Sequence, residues 1–379
     1  MGPGRPTVRA SEQQELPSSG VAVGVADASA AASCPVPFRR TPQCLSTRSG
    51  RRATPTRMRS VVIDTDPGID DALALYLALS SPEIEVVGLT TTFGNTYVDT
   101  ATRNARALLE AGGRPELPVH RGASSPLAGA YRGPVPQVHG PGGLGYATRV
   151  DASAPASTMA AAEYLVQTIA DRPSDLTILA LGPLTNLALA TRLQPDIVHH
   201  VAEVVVMGGN ALCPGNATPA AEANFWHDPE AADLVLGLPW KVTMVGLDVT
   251  EQVVLPTARF DALAFRTAAA TALLPDLLRW YGEYYGQANG IDGVFLHDPA
   301  AVAYMIEPEL FTSEDWPIRV ETQGISRGKS WPRSSVTDQL ASEWDDRPDV
   351  QVCTGVDSDG VVNLFCDRLR QRARPLATS

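Results

Sequence analysis

Lysine is scarce in this chain: Lys241 and Lys329 are the only two, and every other basic residue is arginine. The bias has no functional reading of its own, but the low basic total does. With 30 Lys and Arg against 42 Asp and Glu the net charge is −12, which argues against nucleic acid or an anionic membrane as the main partner. Cysteine is also sparse. Cys34, Cys44, Cys213, Cys353 and Cys366 are odd in number, widely spread and without a close CxxC pair, so neither a disulfide framework nor a zinc site is expected. That usage suits a reducing compartment, with the cytoplasm as the expected address. No apolar run is long enough to span a bilayer, and a soluble protein is expected. The six histidines show no HExxH spacing, and the chain has no GxSxG nucleophile elbow and no GxxxxGK[ST] phosphate loop.

The 379 residues, 44% of them hydrophobic, are enough for one large α/β domain or two ordinary ones. Residues 1–57 stand apart. They are rich in Ser, Ala, Pro and Arg, and carry eight arginines against Glu12, Glu15 and Asp27, so a disordered extension is expected. Such a leader could act as an organellar transit peptide, which would move the address to an organelle, although two glutamates near its start count against this. An extension with no address is the alternative.

From residue 58 apolar strand-like runs alternate with helical spacing. Strands are expected at Glu85–Thr92, Leu176–Leu181, Glu203–Met207, Val242–Leu247 and Val350–Val356, with helices between them. A strand feeding a helix, repeated, predicts a doubly wound, mostly parallel open sheet with helices on both faces, forming one domain over 58–371 with a short tail at 372–379. Residues 122–150, dense in Gly and Pro, read as a long surface loop, and such loops tend to be functional.

The stretch around which the rest is organised runs from Ser60 to Leu79. Val61, Val62 and Ile63 form a β-branched run that Pro67 and Gly68 break, and Leu73, Leu75, Tyr76 and Leu79 resume with helical spacing. Asp64, Asp66, Asp70 and Asp71 therefore crowd at the carboxyl end of one strand, where ligands bind in open α/β sheets. Four carboxylates so close repel one another unless a cation or protons intervene. All-oxygen ligation suits Ca2+ or Mg2+. An EF-hand loop is excluded, because Ile69 and Leu75 stand where it needs Gly and Glu. Asp70 reads equally well as an N-cap and Asp71 as a first-turn acid facing the helix dipole; capping does not explain Asp64 or Asp66.

His-Asp-Pro occurs at 227–229 and again at 297–299, each time with Asp placed as an N-cap and Pro at the first helical position. Spacing alone does not choose between them as metal ligands. The loop 215–224 carries Asn216, Glu222 and Asn224, which can hydrogen-bond a polyhydroxylated ligand.

Taken in order, Asp64-Thr-Asp-Pro-Gly-Ile-Asp-Asp71, Thr92-Phe-Gly-Asn95, Leu181-Gly-Pro-Leu-Thr-Asn186, Val206-Met-Gly-Gly209, Ala221-Glu-Ala-Asn224 and Leu296-His-Asp-Pro299 resemble the nucleoside hydrolase family, the inosine-uridine preferring nucleoside N-ribohydrolases. The first of these motifs is highly specific. The resemblance implies a calcium-dependent enzyme that cleaves a small ribonucleoside to ribose and base, working as a homodimer or homotetramer. It implies Ca2+ held by Asp66, Asp71, Asp298 and the backbone carbonyl of Leu181, with Asp66 also the base that activates water. Asp70, Asn95 and Asn224 would hold the ribose 2′ and 3′ hydroxyls, and Asn216 and Glu222 the 5′ side, with Met207 beneath the sugar. His297 would help the base to leave, and His139 would sit on a mobile loop near the base. Asp64 has no ligand role in the family, and Asp228 matches only a helix start. The loop between Met207 and Glu222 is one residue longer than the family pattern, and the segment 327–333 departs from it. Tyr281, Tyr284 and Tyr285 fall where the family contacts the nucleobase or, equally, where a helix packs.

Two other readings stand beside this one. A haloacid-dehalogenase-like phosphatase would use Asp64-Thr-Asp66, but Gly68 replaces the Thr or Val expected there. A non-catalytic ribonucleoside-binding protein on the same fold is the second.

Overall fold

The structure is a computed structural model that describes residues 1–2, 58–147, 157–264, 272–333 and 342–372. The chain divides into two compact units, Met1–Ala53 and Thr54–Ser379. Residues 3–57 of the expected extension and 373–379 of the expected tail lie outside the described residues.

Nine strands form one sheet. In chain order they are β1 (Arg59–Thr65), β2 (Ile84–Thr91), β3 (Val119–Arg121), β4 (Leu176–Ala180), β5 (Glu203–Met207) and β6 (Val242–Val245); β7 (Val254–Pro256) and β8 (Gly293–Phe295) pair separately; then β9 (Phe311–Val320), β10 (Ser330–Pro332) and β11 (Asp349–Val356) complete the sheet. Across it the order is β10-β9-β11-β6-β5-β4-β1-β2-β3, parallel from β11 to β3 and antiparallel at β9 and β10. The chain runs outward from β1 to β3, then returns to lay β4 on the other flank of β1. That reversal is the topological switch point, and it opens a crevice at the carboxyl ends of β1 and β4.

Alternate residues of the strands enter two separate cores. Val61 and Ile63 of β1, Leu179 of β4 and Val205 of β5 pack on one face, while Val62, Ile178 and Val204 pack on the other. A sheet apolar on both faces has to be covered by helices on both. The doubly wound α/β expectation is met. The helix Ile69–Leu79 is buried along almost its whole length and packs against the helix His297–Ile306, also buried throughout. These two helices begin beside the crevice, and both carry carboxylates in their first turns.

Where the fold departs from expectation, local chemistry explains it. The antiparallel strands β9 and β10 were not foreseen, because β9 contains Pro317 and several acids, which argue against a strand. Within the expected long loop, Pro136–His139 forms one helical turn.

Candidate active site

Of the four acids at the end of β1, Asp64 points away from the crevice. Its Oδ1 accepts from Thr90 Oγ1 at 2.5 Å and Asn186 Nδ2 at 2.7 Å, tying β1 to β2 and to the start of the helix after β4. Burial raises its pKa to about 7, against the pull of those two donors.

Asp66 sits in the mouth of the switch point. Its Oδ2 accepts from the Asn95 backbone N–H at 2.5 Å, while its Oδ1 is buried without a partner. Gly94 and Gly182 leave room for it: a Cβ on Gly94, whose φ is +153°, would overlap Oδ2, and one on Gly182 would lie 2.6 Å from Oδ1. Here the absence of a side chain is what lets two loops close on a carboxylate.

Asp70 was a candidate N-cap, but Gly68 holds that position and Asp70 lies in the first turn. The cap is served by Asp71 instead, whose Oδ2 accepts from Gly68 N–H at 2.8 Å and Asn95 Nδ2 at 3.0 Å, while its Oδ1 accepts from Thr65 Oγ1. Asp70 is thereby left free of a capping duty; its Oδ1 is buried and accepts no hydrogen bond among the described residues, with His139 Nδ1 3.9 Å away. Burial raises both pKa values to about 6.

The two His-Asp-Pro copies differ in the structure. Asp228 is an N-cap: its Oδ1 accepts from Ala231 N–H at 3.1 Å, and its Oδ2 from Leu127 N–H at 2.8 Å and Thr185 Oγ1 at 2.7 Å. Asp298 is not a cap, contrary to the pattern. Leu296 occupies that place without a side-chain bond, and Asp298 lies within the first turn, aimed into the crevice. One oxygen from each of Asp70, Asp71 and Asp298 lies within 4.8 Å of the others. Desolvation, then the negative charge of Asp70, Asp71, Asp66 and Glu222, pushes Asp298 well above the carboxylate range. Asp66 is raised for the same reasons, burial first and Asp71 second. Buried carboxylates that repel one another and keep unpartnered oxygens fit a hard cation. The donor set is all oxygen.

Asp70 and Asp298 line a cavity of about 570 Å³, within the range of small-molecule sites, while Asp66 and Asp71 lie behind its wall. Every substrate-binding candidate from the sequence lines it: Asp70, Asn95, His139, Met207, Asn216, Glu222 and Asn224, together with Leu181, His297 and Asp298. The buried Glu222 caps the helix Ala223–His227, and its carboxylate accepts from the N–H groups of Gly209, Asn224 and Phe225 at 2.8, 2.8 and 3.1 Å. Even so, desolvation raises it to about 7. Asn224 gives its Nδ2 to the carbonyls of Leu181 at 2.8 Å and Met207 at 3.0 Å, leaving its side-chain oxygen for a ligand. Asn216 accepts from Ala223 N–H at 3.0 Å.

The lining also holds a cluster of aromatic and imidazole side chains that reaches the acids, with His139 Nδ1 3.9 Å from Asp70 Oδ1. His297 lies between Thr250 Oγ1, 2.9 Å from Nδ1, and Tyr285 Oη, 3.2 Å from Nε2, and Tyr285 reaches Tyr281 Oη at 3.2 Å. All three tyrosines line the cavity. His139 is buried, with Nδ1 accepting from Ile69 N–H at 3.1 Å, which leaves the proton on Nε2. Its loop is fastened by Trp280 Nε1 to the Val138 carbonyl at 2.9 Å and by Asn104 Nδ2 to the Gly142 carbonyl at 2.9 Å. Burial lowers both His139 and His297 to about 4, so both are neutral at pH 7. Trp226, Glu251 and Phe295 also line the cavity, and Thr250 orients His297; nothing in their spacing sets them apart in the sequence, whereas His227, which lines it too, opens the first His-Asp-Pro copy.

A model of the family described as inosine-uridine preferring nucleoside hydrolase matches residues 61–363. The chain belongs to this family of enzymes. Among its relatives, a probable uridine nucleosidase 2 of Arabidopsis thaliana is 41% identical over 315 residues, 83% of this chain and 98% of the relative. An inosine-uridine preferring nucleoside hydrolase of Leishmania major is 38% identical over 70% of this chain and 84% of its own. Of the solved structures, a plant nucleoside hydrolase superposes with a TM-score of 0.80 at 36% identity, covering 82% of this chain and 99% of that one. For the nucleoside hydrolase described here, no helix among the described residues is long and apolar enough to cross a membrane.

Proposed function

We propose that this nucleoside hydrolase cleaves the N-glycosidic bond of uridine, inosine or a related ribonucleoside, in a calcium-dependent reaction that yields ribose and free base for nucleoside catabolism and salvage. The observation that carries the reading is one cavity lined both by buried, mutually repelling carboxylates and by hydroxyl-bearing aromatics around a neutral histidine. Breaking such a bond builds positive charge on the ribose and negative charge on the base, so fixed carboxylates and neutral donors in one cavity suit the two halves of one transition state.

Asp66, Asp71, Asp298 and the Leu181 carbonyl would hold Ca2+. When bound, the ion lowers the pKa of a water and orients the sugar diol. Asp66 takes the proton from the attacking water, through the Oδ1 that no protein group satisfies. Asp70, whose Oδ1 accepts no hydrogen bond among the described residues, accepts from a ribose hydroxyl. Asn95 gives its Nδ2 to Asp71, as Asn224 gives its own to two carbonyls, so each offers its oxygen to the 2′ and 3′ hydroxyls. Glu222 and Asn216 meet the 5′ side, and Met207 lies under the ring. His297 steadies the leaving base as a neutral N–H donor, its ring held by Thr250 and Tyr285, while His139 lies over the base. A homodimer or homotetramer and a cytoplasmic address complete the reading; free Cys213, Cys353 and Cys366 suit the latter.

A reducing-sugar assay over uridine, inosine, adenosine, cytidine and xanthosine tests this. Ribose release is expected from at least one, abolished by a chelator and restored by calcium. Tight nucleoside binding in calcium without release would favour the binding-protein alternative.

The phosphatase reading meets an obstacle in the structure, since the Asp64 carboxylate it would use as nucleophile is turned inward onto Thr90 and Asn186. Asp64→Asn keeps an acceptor for both donors, and it is expected to release ribose within about threefold of the wild type, whereas Asp64→Ala leaves them unpaired and loses about 2–3 kcal/mol in a urea titration. Phosphate release from a phosphoester, abolished in Asp64→Asn, would reverse this conclusion.

A further inference from the structure

The loop from Gly208 to Glu222 has to hold its shape with few strand or helix bonds of its own, and one of the chain's two lysines lies against it. Lys329 is 7% exposed, and no carboxylate pairs with it among the described residues. Its Nζ donates to the backbone carbonyls of Asn210 at 2.6 Å, Cys213 at 2.9 Å and Ala211 at 3.4 Å. The adjacent Ser330 accepts from Asn210 N–H at 2.8 Å. From the other side, Asp248 takes the N–H groups of Ala211 and Leu212, each at 2.7 Å. A cation thus holds the carbonyls and an anion the amides of one turn, residues 210–213.

The turn is linked directly to the cavity. The fully buried Asn210 donates from Nδ2 to the carbonyls of Cys213 and Ala220, each at 2.9 Å, and its Oδ1 accepts from Glu222 N–H at 3.3 Å. Whatever fixes Asn210 also fixes the backbone of Glu222. Stability alone is a poor reason for the arrangement, because burying an ammonium against neutral carbonyls costs desolvation that an apolar side chain would avoid. Precision at the loop is a better one.

We propose that Lys329, together with Asp248, is a positioning pair for recognition of the substrate's 5′-hydroxymethyl group, acting through Asn210 on Glu222. The inference rests on the reading above that this loop meets the 5′ side of a ribonucleoside. Neither residue lines the cavity, so neither touches substrate.

The test compares the best ribonucleoside substrate with its 5′-deoxy analogue in the wild type, Lys329→Met, Lys329→Arg and Asp248→Asn. The wild type should prefer the 5′-hydroxyl. In Lys329→Met, kcat/KM for the ribonucleoside should fall about tenfold or more, the scale of one charge-assisted hydrogen bond, while the 5′-deoxy analogue changes by less than about twofold. The preference should collapse in that variant and return in part with Lys329→Arg. Hydrogen exchange at the amides of Ala211 and Leu212 should quicken in parallel. If Lys329→Met does not fold, Asp248→Asn is expected to show the same collapse. An equal fall on both substrates, an unchanged ratio or a wild type indifferent to the 5′-hydroxyl overturns the proposal. A wild type that releases no ribose from any nucleoside defeats the parent reading instead, and unchanged exchange in Lys329→Met would still refute the clamp.

Discussion

Replacing Asp66 with Asn is expected to lower kcat for ribose release by about three orders of magnitude, the middle of the range for loss of a general base. The substitution is nearly isosteric, so its effect is chemical. Asn95 N–H needs an acceptor where Oδ2 now lies, which turns the new side-chain oxygen towards it. The –NH2 then faces the position of the unpartnered Oδ1, where it can neither take a proton from water nor ligate a cation. The same change removes one negative charge from a buried, mutually repelling set. Asp66→Asn should therefore melt at or above the wild-type temperature in chelator, and should gain less than the wild type when calcium is added. Activity within tenfold of the wild type would show that Asp66 is not the base. A large fall in melting temperature in chelator would show that the loss is structural.

The sequence made the β1 end of this site legible because the information is local. A β-branched run, a Pro-Gly break and helical spacing are read within twenty residues, and they put Asp66, Asp70 and Asp71 in one crevice. Which acid capped the helix was beyond local reading. Gly68 and Asp71 share that task in the structure, and only the three-dimensional environment reveals that Asp70 is left over. The parallel sheet was readable from the strand-then-helix rhythm, while β9 and β10 were not, since Pro317 and exposed acids disguise strands whose pairing is supplied by distant residues. Lys329 is the extreme case. Its partners are backbone carbonyls, which every sequence contains, and the bond to Asn210 spans 119 positions. A side chain that acts on main chain leaves no motif.

The second large effect separates the two His-Asp-Pro copies. Asp298→Ala is expected to reduce ribose release by about three orders of magnitude or more and to abolish the thermal shift on adding calcium, because it removes a charged ligand from an all-oxygen site. Asp228→Ala should leave catalysis within about threefold but lower stability by about 2–3 kcal/mol, the sum of a lost N-cap and of donors left unpaired at Leu127 and Thr185. The reasoning turns on where each carboxylate directs its oxygens. Asp228 satisfies three donors of its own scaffold, so its value is structural and bears little on the cavity. Asp298 accepts no hydrogen bond from a donor among the described residues, and it faces Asp70 and Asp71 at a separation that only a cation or protons make tolerable. Its removal should therefore cost little in stability, and in chelator it should raise the melting temperature by relieving repulsion. Equal loss of activity in a folded Asp228→Ala protein, or full activity in Asp298→Ala, would reverse the assignment.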